Sequence, residues 1–253
     1  MAVDRRVAIN EYIDSQGEVK LSQLALIFPD VSSMTLRRDL EYLEENNKII
    51  RTRGGAMSIK YIKSKKEEIY TKRELENIQA KNLIAQKAIK LIDGRRSLYL
   101  DSGTTVNTLA KLIETDQELS VVTSSPVSAM EMAKNPNASV TVMGGRLNND
   151  TFCITGQAAM DLASSINIDV AIMGTSGFSP KAGFTAGYLE ECNLKREIIR
   201  KAKTVIVLMD SSKVNKDMIF TFATPEDIDI LVTDGNLDDE TVKELQKYNV
   251  EIV

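Results

Sequence analysis

Five short stretches rich in Asp, Ser, Thr and Gly each follow a run of apolar residues. They are Asp101-Ser102-Gly103-Thr104-Thr105, Thr123-Ser124-Ser125, Gly144-Gly145-Arg146, Gly174-Thr175-Ser176-Gly177 and Asp210-Ser211-Ser212-Lys213. Their hydroxyls can donate to a small polar ligand, a glycine lets the backbone approach it closely, and a helix opening on such a loop favours an anion. The first loop is expected to hold a phosphate in this way, with Gly103 leaving room and Ser102, Thr104 and Thr105 donating. Arg146 and Lys213 add positive charge. Any one of these loops reads equally well as an ordinary turn or helix cap. Five of them at strand ends point to a phosphorylated small molecule.

Other chemistries are closed off by composition. The 253 residues contain no histidine, which removes Ser-His-Asp, Cys-His and histidine-ligated metal sites together. Cys153 and Cys192 lie far apart in the chain and read as reduced thiols, so no metal site and no cofactor is expected.

A second chemistry-bearing stretch runs from Val31 to Leu43. Ser32 is a natural N-cap, and Leu36, Leu40 and Leu43 fall at helical spacing as a buried stripe. That leaves Ser33, Met34, Thr35, Arg37 and Arg38 toward the N-terminal half, on or beside the exposed face. In a helix-turn-helix this end of the second helix enters the major groove, where Arg pairs with guanine. Asn46-Asn47 can stop the helix, and Ile49 to Met57 reads as a basic hairpin whose Arg51 and Arg53 lie against phosphates. Each arginine alone fits a solvated face; the set arrives in the order of a winged helix.

The elements that position these residues follow from periodicity. A helix over 4–15 ends at Gly17, and a second spans Val19 to Phe28 before Pro29-Asp30. Residues 59–80 are polar and Lys/Glu-rich and read as a connector with mostly solvated charges, running into a helix over 74–92 that Asp93-Gly94 ends. Beyond it, apolar runs at Ser97–Leu100, Leu119–Thr123, Ser139–Met143, Asp169–Met173, Thr204–Met209, Ile228–Val232 and Val250–Val253 alternate with helical patterns near 104–113, 126–134, 156–166, 189–202 and 238–247. Such alternation predicts a mostly parallel sheet flanked by helices, with ligands beyond the carboxyl ends of the strands. The predicted domains are 1–58, DNA-binding, and 81–253, ligand-sensing, joined by 59–80.

Net charge is −4, but residues 1–60 balance nine cations against nine acids, so the DNA-binding part is neutral and only local pattern is informative. No apolar stretch approaches the ~20 residues of a membrane span, and no signal-peptide core opens the chain, so a cytoplasmic location is expected.

The stretch Val31 to Leu40, followed by Arg51-Thr52-Arg53-Gly54-Gly55-Ala56, resembles the signature of the DeoR family of bacterial sugar-metabolism regulators. Leu100 to Thr105, Met143 to Arg146, Met209 to Lys213, and Gly183-Phe184-Thr185 with Glu190, Glu191, Lys195 and Arg196 are similar to its sensor motifs. The resemblance implies a sensor fold like ribose-5-phosphate isomerase and CoA transferases, sugar-phosphate effectors, and assembly as a homodimer or homotetramer. Together with the strand-end loops, these motifs place the expected effector site at Asp101, Ser102, Gly103, Thr104, Thr105, Thr123, Ser124, Ser125, Gly145, Arg146, Gly174, Thr175, Glu191, Lys195, Asp210 and Lys213. The isomerase-like relatives carry acidic residues where this chain has Thr175-Ser176, so no catalytic residue is expected.

The expected protein is a repressor bound to double-stranded operator DNA and released by a phosphorylated sugar. The alternatives are an isomerase-like enzyme with an appended DNA-binding domain, and an activator of the same architecture.

Overall fold

The computed structural model describes residues 2–46, 48–52, 54–59, 68–92 and 94–253, and the chain divides into two units, Met1–Lys66 and Glu67–Val253. Asn47, Arg53 and Asp93, which the sequence assigns to a helix stop, the wing and a second helix stop, lie outside the described residues.

The first unit runs α1 (Ala2–Gln16), β1 (Glu18–Lys20), α2 (Leu21–Ile27), α3 (Ser33–Glu45), β2 (Ile49–Thr52) and β3 (Gly55–Ser58). The strands form one antiparallel sheet in the order β1-β3-β2. Ile9, Ile13, Val19, Leu24, Leu36, Leu40, Leu43, Ile49 and Ala56 make its core. The predicted helix from Val19 is shorter than expected, because Glu18–Lys20 is a strand with Val19 opposite Ala56. Gly17 at φ 76° ends α1 and turns the chain, and three residues alternating exposed, buried, exposed are too few to read as a strand. Ser32 caps α3 as expected: its Oγ accepts the Thr35 N–H at 3.2 Å.

The second unit is built on seven parallel strands: β4 (Ser97–Leu100), β5 (Leu119–Thr123), β6 (Ala138–Val142), β9 (Ile168–Gly174), β12 (Ala202–Met209), β14 (Ile230–Thr233) and β15 (Glu251–Ile252). Their order is β15-β14-β12-β9-β4-β5-β6. Chain order therefore reverses between β4 and β9, and the crevice beyond the carboxyl ends of these two strands is where ligands bind in open α/β sheets. One face is covered by α5 (Ile78–Ala88), α6 (Thr104–Ala110) and α7 (Pro126–Met132), whose Ile84, Ala85, Val106, Leu109 and Met132 pack on Leu98, Leu100, Val170 and Ile172. The other is covered by α8 (Gln157–Ser165), α9 (Leu189–Lys201) and α10 (Asp239–Lys247).

Two features depart from expectation. The predicted helix over 74–92 is two helices, α4 (Tyr70–Leu75) and α5, broken where Asn77 takes the left-handed conformation at φ 51°. Residues 70–80, read as connector, thus belong to this unit. Tyr70 is buried, stacks on Phe152 at 5.0 Å, and donates its N–H to the Asp150 carbonyl. A three-stranded antiparallel sheet, β10 (Gly177–Ser179), β11 (Gly183–Ala186) and β13 (Phe220–Ala223), also packs into the core through Phe178, Phe184 and Phe222. Its β10 and β11 are buried at every position, so they show none of the alternation that marks a strand. A two-stranded hairpin of β7 (Arg146–Leu147) and β8 (Ile154–Thr155) completes the elements. Among the described residues no helix is long and apolar enough to cross a membrane.

Candidate functional site

In the first unit the cap and the leucine stripe fix which face of α3 is presented. Ser33, Met34, Arg37 and Arg38 are exposed and Thr35 is half-buried. Neither Arg37 nor Arg38 has a carboxylate partner among the described residues. Next to Arg38 in the chain is a residue the sequence did not single out, Asp39, which is 1% exposed. Arg5 Nε donates to its Oδ2 at 2.6 Å and Arg6 Nε to its Oδ1 at 2.8 Å, so α1 holds α3 through one carboxylate. Burial opposes ionisation of Asp39, but the two guanidiniums outweigh it and hold the carboxyl below its ordinary range.

Arg51 behaves otherwise. Its N–H and Nε donate to the two carboxylate oxygens of Glu44 at 2.9 and 2.8 Å, and its Nη1 to Glu41 at 2.8 Å. The guanidinium expected at the DNA backbone is tied instead to the C-terminal half of α3, fixing the wing against that helix.

In the second unit the loops after β4, β9 and β12 converge at the strand-order reversal. Asp101, Ser102, Gly103, Thr104, Thr105, Gly174, Thr175, Glu191, Lys195, Asp210 and Lys213 line one crevice, joined there by Arg73, Glu76, Asn77, Lys81 and Ser176. At its base Lys195 is buried, contacts the Asp101 carboxylate, donates to the Gly174 carbonyl at 3.0 Å and lies 3.4 Å from Glu191. Glu191 and Lys195 are one helical turn apart on α9, so they share a face. Asp101 also accepts the Gly174 N–H at 2.9 Å, which couples β4 to β9. Burial works against the ammonium of Lys195, yet Asp101 and Glu191 outweigh it and raise its pKa. The second carboxylate oxygen of Asp101, Oδ1, is buried without a hydrogen-bond partner.

Gly103 and Gly174 face each other across this base. At Gly103 φ is −76°, which any residue adopts, and an added Cβ would make only ordinary contact, 3.6 Å from Gly174 Cα. The backbone therefore gives no reason for glycine there. Gly145 is the opposite case: its φ is 141° and a Cβ would lie 2.2 Å from the Thr155 carbonyl oxygen, so the β7–β8 hairpin itself demands glycine.

Several expected residues lie elsewhere. Arg146 is on that hairpin, paired with Glu190 at 3.0 Å in an exposed pair. Thr123, Ser124 and Ser125 are fully buried and their hydroxyls are spent: on the Leu100 carbonyl at 2.6 Å, on Tyr99 Oη at 2.9 Å, and on capping α7 at 3.1 Å. Ser176 belongs to the loop after β9 that the sequence already points to, whereas Arg73, Glu76, Asn77 and Lys81 are not among the residues expected there. These four sit in or beside the stretch read as connector, and only the left-handed turn at Asn77, for which Asn is a suitable residue, offers a signal. Cys153 and Cys192 are buried free thiols, and burial raises both, Cys192 to about 11, so neither is a ready nucleophile.

A winged helix with unpaired arginines on its third helix, joined in one chain to an α/β unit with a polar crevice, defines a ligand-responsive DNA-binding regulator. Residues 5–61 match the DeoR-like helix-turn-helix domain and residues 76–235 the DeoR C-terminal sensor domain. The chain belongs to the DeoR family of transcriptional regulators. It is similar to the HTH-type transcriptional regulator GolR of Listeria innocua, 30% identical over 96% of this chain and 94% of that protein. It is also similar to the HTH-type transcriptional repressor GlcR of Bacillus subtilis, 33% identical over 91% and 88%. Among solved structures, ribose 5-phosphate isomerase A of Methanocaldococcus jannaschii matches with 17% identity over 55% of each chain and a TM-score of 0.40.

Proposed function

We propose that this regulator is a repressor that leaves its operator when a small phosphorylated sugar fills the crevice, and that it binds this sugar without converting it. The observation that carries the reading is the base of the crevice. A glycine with no backbone reason to be one keeps the floor open, and a buried Asp101 oxygen without a partner is left to accept a ligand hydroxyl. Repression as the sign of the output is supported by the similar GlcR of Bacillus subtilis, a transcriptional repressor by name. A single winged helix makes few phosphate contacts, which favours at least a homodimer on double-stranded DNA, acting in the cytoplasm.

Turnover is disfavoured by the same geometry. Moving a proton between sugar carbons takes a carboxylate base. Asp101 and Glu191 both lie against the Lys195 ammonium, and the β9 loop offers Thr175-Ser176.

The test is operator affinity with and without a panel of sugar phosphates, preceded by a thermal-shift screen, where a ligand at ~100 times its Kd adds ~2.7 kcal/mol. Wild type is expected to release the operator with at least one phosphorylated sugar. Gly103→Val is expected to fold, bind operator and stay bound. Equal release by unphosphorylated sugars, or steady isomerisation of a sugar phosphate by the purified protein, would sink the reading.

A further inference from the structure

The seven-stranded sheet ends in two unlike edges. At one, β15 is two residues long and carries the exposed Glu251, which blunts it against pairing. At the other, β6 is five residues long, pairs with β5 in unbroken register, and holds no proline and no charge. No charged residue stands between Lys134 and Arg146. Ser139, Thr141 and Val142 are exposed, and among the described residues no strand lies on the far side of β6. An edge of this length is normally shortened, charged, bulged or covered, because its free backbone groups are a template for another strand.

Two hydrogen bonds fix which backbone groups face outward. The Asn137 carbonyl accepts the Leu119 N–H at 3.0 Å, and the Met143 N–H donates to the Thr123 carbonyl at 2.9 Å. Peptide groups alternate along a strand, so residues 137, 139, 141 and 143 turn theirs to β5, and Ala138, Val140 and Val142 turn theirs away. The Ala138 N–H is used in a turn, on the Asn135 carbonyl at 3.1 Å. The Val140 and Val142 N–H groups and the carbonyls of all three residues are left facing outward. A second copy of the same strand, antiparallel about a two-fold at Val140, fits this pattern. Val140 exchanges both bonds with the partner's Val140, and the Val142 N–H donates to the partner's Ala138 carbonyl. Ser139 then stands opposite the partner's Thr141 and Ala138 opposite the partner's Val142, so hydroxyl meets hydroxyl, apolar meets apolar, and no like charges are opposed.

We propose that β6 is the edge through which two copies of this chain associate, their strands pairing antiparallel about Val140 and joining the two sheets into one. The inference rests on the reading of the regulator as at least a homodimer and assigns the surface that makes it one. Val142, and Met130 on α7, the helix packed against β5 and β6, are exposed and add apolar surface on this side of the unit. The uncharged, self-matching register favours a second copy over a foreign strand.

The experiment is sedimentation equilibrium of the full chain over a range of concentrations, alone and on operator DNA. The variants are Val140→Pro, Ser139→Glu, Thr141→Lys and the double variant Ser139→Glu/Thr141→Lys, and circular dichroism verifies their folding. Val140→Pro removes an outward donor from each copy without touching a bond to β5, and is expected to weaken association on the order of tenfold or more. Each charged single variant sets its charge diagonally across from its own symmetry copy and is expected to weaken association about threefold to tenfold. The double variant sets each acid opposite the other copy's lysine and is expected to regain wild-type association. Ser139 and Thr141 are exposed, so their variants report even if Val140→Pro fails to fold. If the folded variants associate as wild type does, or the double variant associates no better than the singles, the assignment of this edge falls and the homodimer reading stands. If wild type stays monomeric at every concentration, alone and on operator DNA, both fall.

Discussion

On α3, Arg37 and Arg38 stand exposed with no carboxylate partner among the described residues, whereas in the crevice Lys195 is 4% exposed and sits against two carboxylates. The difference follows from what each surface meets. DNA brings its own dense charge, and affinity comes from releasing its counterions, so a cation already neutralised by the protein contributes little. A small-ligand site has to hold its polar groups in place in a medium of low dielectric, where each charge needs a partner built in. The largest expected effect is therefore at Lys195. Lys195→Met leaves Asp101 and Glu191 buried together without a counter-charge and is expected to cost ~3–5 kcal/mol by urea denaturation of the full chain. A loss within ~1 kcal/mol would mean that water reaches the triad, and the contrast between the two regions would dissolve.

Asp39 is the place where the DNA-binding unit does bury a charge. Asp39→Asn removes the carboxylate that joins Arg5 and Arg6 to α3 and is expected to cost ~1.5–3 kcal/mol. The two arginines hold the carboxyl below its ordinary value of 3.8. A group with a depressed folded pKa contributes stability that is present above its unfolded pKa and lost as pH falls through the folded one. The stability difference between wild type and Asp39→Asn should thus be constant at neutral pH and shrink only below about pH 4. A difference that already declines at pH 6 would assign it to another group.

Arg37→Ala and Arg38→Ala test the exposed half of the comparison. If either side chain reads a base, its loss is expected to cost ~1–3 kcal/mol on the operator and much less on random DNA. Folding stability should be unchanged, because no partner is left behind. Fluorescence anisotropy on both DNAs measures this. Operator affinity unchanged in both variants would place the reading surface elsewhere.

The parallel sheet was legible because strands buried on both faces are written as unbroken apolar runs, as in Val205 to Met209, and because their loops open on caps. The base of the crevice was legible for the same reason: Asp101, Gly174 and Asp210 each follow such a run. Thr123, Ser124 and Ser125 looked identical in kind, yet their hydroxyls serve a strand carbonyl, a tyrosine and a helix cap. Residue type cannot distinguish a hydroxyl spent inside the fold from one facing a ligand. Lys81 was hidden by context. It follows a run of six cations over 60–73 that reads as solvated, and only the packing of α5 through Ile84, Ala85 and Ala88 shows that this lysine is buried. The same blindness applies to Asp39, whose partners lie 33 and 34 residues away.

The smallest expected effect is at Arg51, and it cuts closest to the comparison. From its place in a basic hairpin, Arg51 was expected to contact phosphate as freely as any arginine on α3. In the folded unit its side chain bridges Glu41 and Glu44, and its amide and guanidinium hold the Glu44 carboxyl below the usual range. A guanidinium so engaged displaces few counterions. Arg51→Ala is then expected to weaken operator and random DNA alike, less than either α3 variant does, and to change the slope of log affinity against log salt by clearly less than the ~0.9 that one full phosphate contact brings. Glu41→Gln serves as the converse: loosening one of the two carboxylates should leave the slope unchanged or make it slightly steeper, since Arg51 is freed toward the DNA. A slope reduced by a whole phosphate contact in Arg51→Ala would show that the ion pairs open on binding. The wing would then belong with Arg37 and Arg38 among the cations reserved for DNA.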